Sequence, residues 1–183
     1  VISRQDKFAV GAKILHIDID GAEINKNIPT AGSVVGDVKS ILTDVLKTLP
    51  AVKSPGWNGD VAEWKKINPG AHAANRQLHP KTIIEETAKL VGEDALVVTD
   101  VGQHQMWVAQ FYPFVKPRSF LSSGGLGTMG YGMGSALGAK IGNPKRPVVL
   151  FTGDGSFRMN CAEMATMANY GAPVLIVLIN NRV

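Results

Sequence analysis

The amino-acid sequence predicts an α/β fold built on a doubly wound parallel sheet, preceded by a smaller strand–turn–strand–helix block. Three observations carry this. Ala95-Leu96-Val97-Val98-Thr99, Val148-Val149-Leu150-Phe151-Thr152 and Val174 to Ile179 are short, continuously apolar runs, the pattern of strands buried on both faces. Helix-compatible segments alternate with them, and strand–helix alternation implies a parallel sheet covered on both sides. The last two runs flank one helix-compatible segment reaching to about Tyr170, closed by Gly171-Ala172-Pro173, which makes a βαβ crossover and places both strands parallel.

Along the chain, Ala12 to Asp20 alternates apolar and polar residues and predicts a strand over Lys13 to Ile19. Gly21-Ala22-Glu23-Ile24 turns out of it, and Ser33 to Gly36 gives a second short strand. Asp37 is a natural N-cap for a helix from Val38 to Leu49, with Val38, Ile41, Leu42, Val45, Leu46 and Leu49 on one face. Pro50 to Gly70 lacks lasting periodicity apart from a short helix over Asp60 to Ile67. Residues 50–79 therefore read as a linker between blocks 1–49 and 80–183. In the second block, helix Lys81 to Val91 leads through Gly92 to the Ala95 strand, which ends at Asp100. A helix from His104 to Phe111 follows, then a strand over Arg118 to Ser122, a glycine-rich turn, and helix Gly130 to Ile141. Gly132, Gly134, Ala136, Gly138 and Ala139 are small enough to let other backbones approach that helix. No internal repeat or low-complexity tract interrupts the chain.

Hydrophobic residues at 45% and charged ones at 19% suit a globular domain with a core. The net charge of +4 comes from scattered lysines, which argues against a nucleic-acid stripe or a membrane patch. Cys161 is the single cysteine, so no internal disulfide forms; a reducing compartment fits, and among Met159, Ala162 and Met164 it reads as a small core residue. The N-terminus lacks the layout of a signal peptide, and no apolar stretch approaches a membrane span. The chain opens without Met and stops two residues after Asn181, so a fragment of a longer polypeptide is expected.

The candidate site comes from the final βαβ unit. Asp154 and Asn181 fall at equivalent carboxyl ends of adjacent strands, where open parallel sheets bind ligands. A carboxylate and an amide oxygen converging there suit a hard cation such as Mg²⁺. Gly155 and Ser156 open the helix, offering backbone N–H groups and a hydroxyl to an anion carried by the metal. The residues thus read as a metal–diphosphate site. A second reading competes with it. Gly125-Leu126-Gly127-Thr128-Met129-Gly130 is literally G-x-G-x-x-G, and Asp154 ends the next strand, as in an NAD-binding domain. Against it, a ribose-binding acid is not expected to open a Gly-Ser anion turn, and Asn180-Asn181 would have no task. His104 taken alone is a surface histidine at a helix start, and Met129 taken alone is core packing.

Gly153-Asp154-Gly155 followed about 25 to 30 residues later by Asn180-Asn181 resembles the thiamine diphosphate motif. Asp100-Val101-Gly102-Gln103-His104-Gln105-Met106-Trp107 and Leu121 to Gly130 are similar to cofactor segments of the acetolactate synthase (acetohydroxyacid synthase) large-subunit family. The similarity covers most of the chain and is weakest between Leu49 and Gln77. It implies that residues 1–49 close a Rossmann-like middle domain bordering FAD, with Asp18 and Asp37 at the flavin. Residues 80–183 would begin the diphosphate domain. It further implies Mg²⁺ on Asp154, Asn181 and the Val183 carbonyl, and the diphosphate on Gly155, Ser156, Gln103 and His104. Gly127 and Met129 would embrace the aminopyrimidine, the Met129 side chain bending the cofactor. The implied reaction condenses two 2-keto acids with decarboxylation, in branched-chain amino acid synthesis and, in a bacterium, in the cytoplasm. A homodimer or tetramer is implied, with a regulatory small subunit as a further partner. Two departures stand out. The glutamate that activates the pyrimidine comes, in that family, from a separate N-terminal domain, and Glu85, Glu86 and Glu163 do not match its context. Met133-Gly134-Ser135 replaces a common Leu-Pro-Ala. The fragment alone is accordingly expected to be inactive.

Overall fold

A computed structural model describes residues 4–51, 54–66 and 78–181. The chain divides into two compact units, Val1–Ile67 and Asn68–Val183. In the first, β1 (Leu15–Asp18) and β2 (Gly32–Val35) pair in parallel, with Leu15 opposite Gly32. A one-turn 3₁₀ helix, Gly21–Glu23, leaves β1 and is capped by Asp20, whose carboxylate accepts from the Ala22 N–H. Helix α1 (Val38–Thr48) starts at Asp37, which accepts from the Ser40 N–H at 2.9 Å. The apolar stripe expected on α1 is there but exposed: Val38, Leu42, Leu46 and Leu49 all face out, and no described residue of this unit is fully buried. Helix α2 (Pro55–Lys66) begins earlier than the periodicity predicts, and Trp57 and Trp64 meet edge to face at 5.4 Å, one helical face apart by two turns. Much of the expected linker 50–79, including His72, lies outside the described residues.

The second unit holds the predicted parallel sheet, in the order β4 (Phe120–Ser122), β3 (Leu96–Thr99), β5 (Val148–Gly153), β6 (Leu175–Ile179). All three pairings are parallel. The period of two along each strand sorts the core onto two faces. Leu96, Val98, Val148 and Leu150 point to one side, against Met133 and Ala136 of α5 (Tyr131–Gly142) and Met167 of α7 (Glu163–Asn169). Val97, Val149, Phe151 and Ile179 point to the other, against Ile84 of α3 (Pro80–Val91) and Val108 of α4 (Gln103–Phe111). The doubly wound class is therefore present, with helices on both faces.

Two details differ from the sequence reading. The helix expected to run to Tyr170 is two short ones, α6 (Asp154–Asn160) and α7, separated at Cys161–Ala162. Both junction residues keep right-handed helical angles, and the Met164 and Ala165 N–H groups bond back three residues rather than four. Cys161 is consequently part-exposed at a bend instead of core. In α5 only Gly132 is crowded: a Cβ there would lie 2.8 Å from Leu150 Cδ1 and 2.9 Å from Asp100 Oδ2, whereas Gly134 and Gly138 have nothing within 4 Å.

The three glycines therefore separate. Gly132→Ala should destabilise by about 1–3 kcal/mol through overpacking. Gly134→Ala and Gly138→Ala, on the exposed face, should each stabilise by up to about 1 kcal/mol through helix propensity. Thermal unfolding of the three variants measures the contrast, and equal effects would contradict it.

Candidate functional site

Strands β3 and β5 are neighbours, yet their chains leave in opposite directions. From β3 the chain enters α4 on one face of the sheet; from β5 it enters α6, whose Phe157 packs on the other. A crevice opens at such a switch point, beyond the carboxyl ends of the strands. Here it is a cleft of about 250 Å³. Its walls are Val101 to His104 and Trp107 after β3, Gly153 to Ser156 after β5, Ile179 and Asn181 at β6, and Met129 from the glycine-rich loop. The structure thus brings Gln103, His104, Met129, Asp154, Gly155, Ser156 and Asn181 to one place.

His104 is the best-defined wall. Its ring is slotted between two backbones: a Cβ on Gly102 would lie 2.9 Å from its Cε1, and one on Gly153 3.1 Å from its Nδ1. The residue is 4% exposed, and its Nε2 has no hydrogen-bond partner. Such an atom, buried and unpaired beside a cleft, is costly unless a ligand completes it. Burial pushes the imidazole below its ordinary value, against the charge and backbone of Asp100, which pull it up. Asp154 stands part-exposed at the first position of α6, its carboxylate without a hydrogen-bond or ion-pair partner among the described residues. Asn181 donates from Nδ2 to Gln103 Oε1 at 2.8 Å, which ties the β6 end to α4 and leaves Oδ1 available. No cluster of three or more His, Cys, Asp or Glu side chains suited to a metal exists among the described residues.

The other expected residues fare differently. The Ser156 hydroxyl proton is already engaged: the residue is buried and donates to the Val101 carbonyl at 2.8 Å, leaving the backbone N–H as the donor Ser156 can offer. Gly127 does not line the cleft; its N–H bonds Ser123 O at 3.1 Å within the loop. Met129 does line it, part-exposed, with its Cε 3.9 Å from where a Cβ of Gly155 would stand. Val183 lies outside the described residues. Asp18 and Asp37 belong to the first unit. Asp37 caps α1, and Asp18 accepts from the Asp20 N–H at 3.0 Å; these bonds hold both carboxyls below the usual range.

Two residues went unassigned in the sequence. Asp100 is 1% exposed and accepts from the N–H groups of Val101 at 2.8 Å, Gly130 at 2.9 Å and Gly132 at 2.8 Å. Asn160, at the end of α6, donates to the Gly130 carbonyl at 2.7 Å. A polar residue closing an apolar strand hints at the first; no local signal marks the second.

Residues 100–183 match the family described as thiamine pyrophosphate enzyme, C-terminal TPP binding domain. This part of the chain is similar to that domain of the thiamine pyrophosphate enzymes. Nearly the whole chain is similar to acetolactate synthases: 42% identical to one from Mycobacterium leprae over 99% of this chain and 30% of that protein. The large subunit from Lactococcus lactis is also 42% identical, over 99% of this chain and 32% of its own length. A probable large subunit from Methanococcus aeolicus is 42% identical over 96% and 32%. The chain spans about a third of the length of these relatives. In a thiamine pyrophosphate enzyme the G-x-G-x-x-G loop needs a task other than holding NAD, and the geometry agrees. The N–H groups of Gly130 and Gly132, where a dinucleotide pyrophosphate would dock, already bond the Asp100 carboxylate.

The His104 environment has a pH signature. The folded state resists protonation while the unfolded chain accepts a proton near the ordinary histidine value of 6.5. The unfolded state therefore binds more protons just below that pH, and stability falls as pH drops from there toward the lowered folded value. Above it the group contributes no slope. Melting temperatures of the full chain at about pH 7.5 and about pH 5.5 should differ more than those of His104→Gln, since histidine protonation straddles this interval. Parallel behaviour would show that His104 is not the group responsible.

Proposed function

We propose that this chain forms the diphosphate and metal side of the thiamine diphosphate site in an acetolactate synthase catalytic subunit. The parent enzyme condenses pyruvate with pyruvate or 2-ketobutyrate, with decarboxylation, in branched-chain amino acid synthesis, and works in the cytoplasm of a bacterial host. Among the described residues no helix is long and apolar enough to cross a membrane. The observation that carries this reading is the switch-point cleft, which is lined both by His104, whose buried Nε2 has no hydrogen-bond partner, and by Asp154.

Each residue has a task suited to its chemistry. Asp154 and Asn181 Oδ1, with the Val183 carbonyl, would hold Mg²⁺ through hard oxygens. The Gly155 and Ser156 N–H groups, at the start of α6, would donate to the diphosphate from one side, and Gln103 and His104 from the other. Met129 would shape the wall against which the rest of the cofactor lies, with Gly127 behind it in the loop. Thiamine diphosphate, when bound, supplies the carbanion chemistry; protein residues supply placement and electrostatics. Among the described residues no glutamate lines the cleft, which fits an activating acid donated from elsewhere, by a neighbouring subunit in a homodimer or tetramer. A regulatory small subunit is a further partner on this reading. FAD would border the first unit on this reading. Asp18 lines a separate pocket of about 330 Å³ in the first unit, while Asp37 is engaged as a cap.

Two outcomes follow. In the full-length protein, Asp154→Ala should weaken Mg²⁺-dependent thiamine diphosphate binding by at least about 100-fold, because the only charged protein ligand is lost. Calorimetric titration reads this, and unchanged affinity would move the site elsewhere. The isolated chain, given thiamine diphosphate, Mg²⁺, FAD and pyruvate, should form no acetolactate; turnover in a colorimetric acetoin assay would contradict the missing acid.

A further inference from the structure

Gly130 is held by both of its backbone groups. Its N–H donates to Asp100 Oδ1 at 2.9 Å, and its carbonyl accepts from Asn160 Nδ2 at 2.7 Å. Its φ of +88° is left-handed, and a Cβ there would strike Asn160 Nδ2 at 2.9 Å, so only glycine fits this clasp. The two side chains arrive from different elements: Asp100 from the end of β3, two residues before Gly102, and Asn160 from the last position of α6, the helix that Asp154 opens. The residue preceding Gly130 is Met129, which enters the cleft. Residues flanking it at 124–129 are exposed, and Leu126 is 94% so, which leaves the loop little packing of its own to fix its position.

We propose that Asn160 and Asp100 are positioning residues for the cofactor site, acting through Gly130 to hold Met129 at a fixed distance from the Asp154–Ser156 turn. The inference rests on the thiamine diphosphate reading given above. Asp100 references the loop to the β3 wall of the cleft, and Asn160 references it to the β5 wall. One glycine thereby joins the loop to both walls. Asn160 contributes most of the specificity, because Asp100 is also needed for the core while Asn160 is exposed and its amide has this one bond. Losing the amide frees the Gly130 carbonyl to turn to water, and Met129 then samples positions that do not match the ligand. Binding must recover that lost order, so affinity falls while the fold remains.

The test uses the full-length protein and calorimetric titration with thiamine diphosphate in the presence of Mg²⁺. Asn160→Ala should raise the dissociation constant about tenfold, the scale seen when an outer-shell partner of a site is removed. Met129→Ala and the double variant complete a cycle. If Asn160 acts through Met129, the double variant binds no worse than Met129→Ala alone. Independent, multiplying losses would overturn the inference, as would an unchanged dissociation constant in Asn160→Ala. Far-ultraviolet circular dichroism and melting temperature must stay close to wild type, since a general loss of fold would predict multiplying losses too. Failure of wild type to bind thiamine diphosphate would instead remove the functional reading, and this inference with it.

Discussion

A carboxylate removed from water organises the second unit. Asp100 is 1% exposed and forms no ion pair among the described residues, and a charge so placed costs on the order of several kcal/mol unless it is fully hydrogen-bonded. Three backbone N–H groups meet it, two of them from the start of α5, where the helix dipole also favours a negative charge. This arrangement dictates its surroundings. α5 must approach the end of β3 closely enough for Gly132 to touch both Asp100 and Leu150, which leaves no room for a side chain at that position. The glycine-rich loop must then end above the carboxyl edge of the sheet. Local chain direction, core packing and the mouth of the cleft all follow from one residue at the end of an apolar strand.

The carboxyl edge is stitched together by side chains rather than by further strand pairing. Ser156 reaches Val101, Asn181 reaches Gln103, and Asn160 and Asp100 share Gly130. Each bond joins segments that follow different strands. The cleft between them has a peculiar charge balance. Asp154 lines it, and among the described residues neither lysine nor arginine does. A diphosphate entering alone would meet a carboxylate and only partial positive charges from N–H groups and helix starts. A divalent cation inverts that field, since it is the largest local charge and is attracted by both partners. On the proposed diphosphate reading, metal dependence would follow from the described lining residues as well as from the motif.

Much of this was legible in the sequence, and the parts that were not share a physical cause. β3, β5 and β6 were plain because both of their faces are buried, which makes a continuous apolar run. Asp154 and Asn181 followed from their place at the ends of two such strands. The α6–α7 bend escaped notice because both junction residues are helical in angle, and only the hydrogen-bond spacing changes. The exposure of the α1 stripe was hidden too: periodicity shows which residues could be buried, not whether anything covers them. The same limit applied to α5, where Gly132, Gly134 and Gly138 look alike in sequence and only Gly132 meets another element. Asp100, Gly130 and Asn160 are thirty residues apart in each step. No local pattern encodes a contact of that range, and the Ser156 hydroxyl was misdirected for the same reason.

The G-x-G-x-x-G loop shows how far a motif can be trusted when its surroundings are unknown. In a dinucleotide fold such a loop matters because the helix after it presents unoccupied N–H groups to a pyrophosphate. Here the loop is followed by a helix of the right kind, and the glycines permit the right turns. Two of those N–H groups, of Gly130 and Gly132, are nevertheless satisfied from within, by Asp100. An anion could displace that carboxylate only by leaving it buried and unpaired, at a cost no exposed hydrogen bond would offset. On the proposed reading the anion-binding role passes to the next helix start, at Gly155 and Ser156, whose N–H groups bond no carboxylate among the described residues. The loop retains a different use for its glycines: a backbone that can be clasped from both sides at Gly130, so that the residue before it stands still.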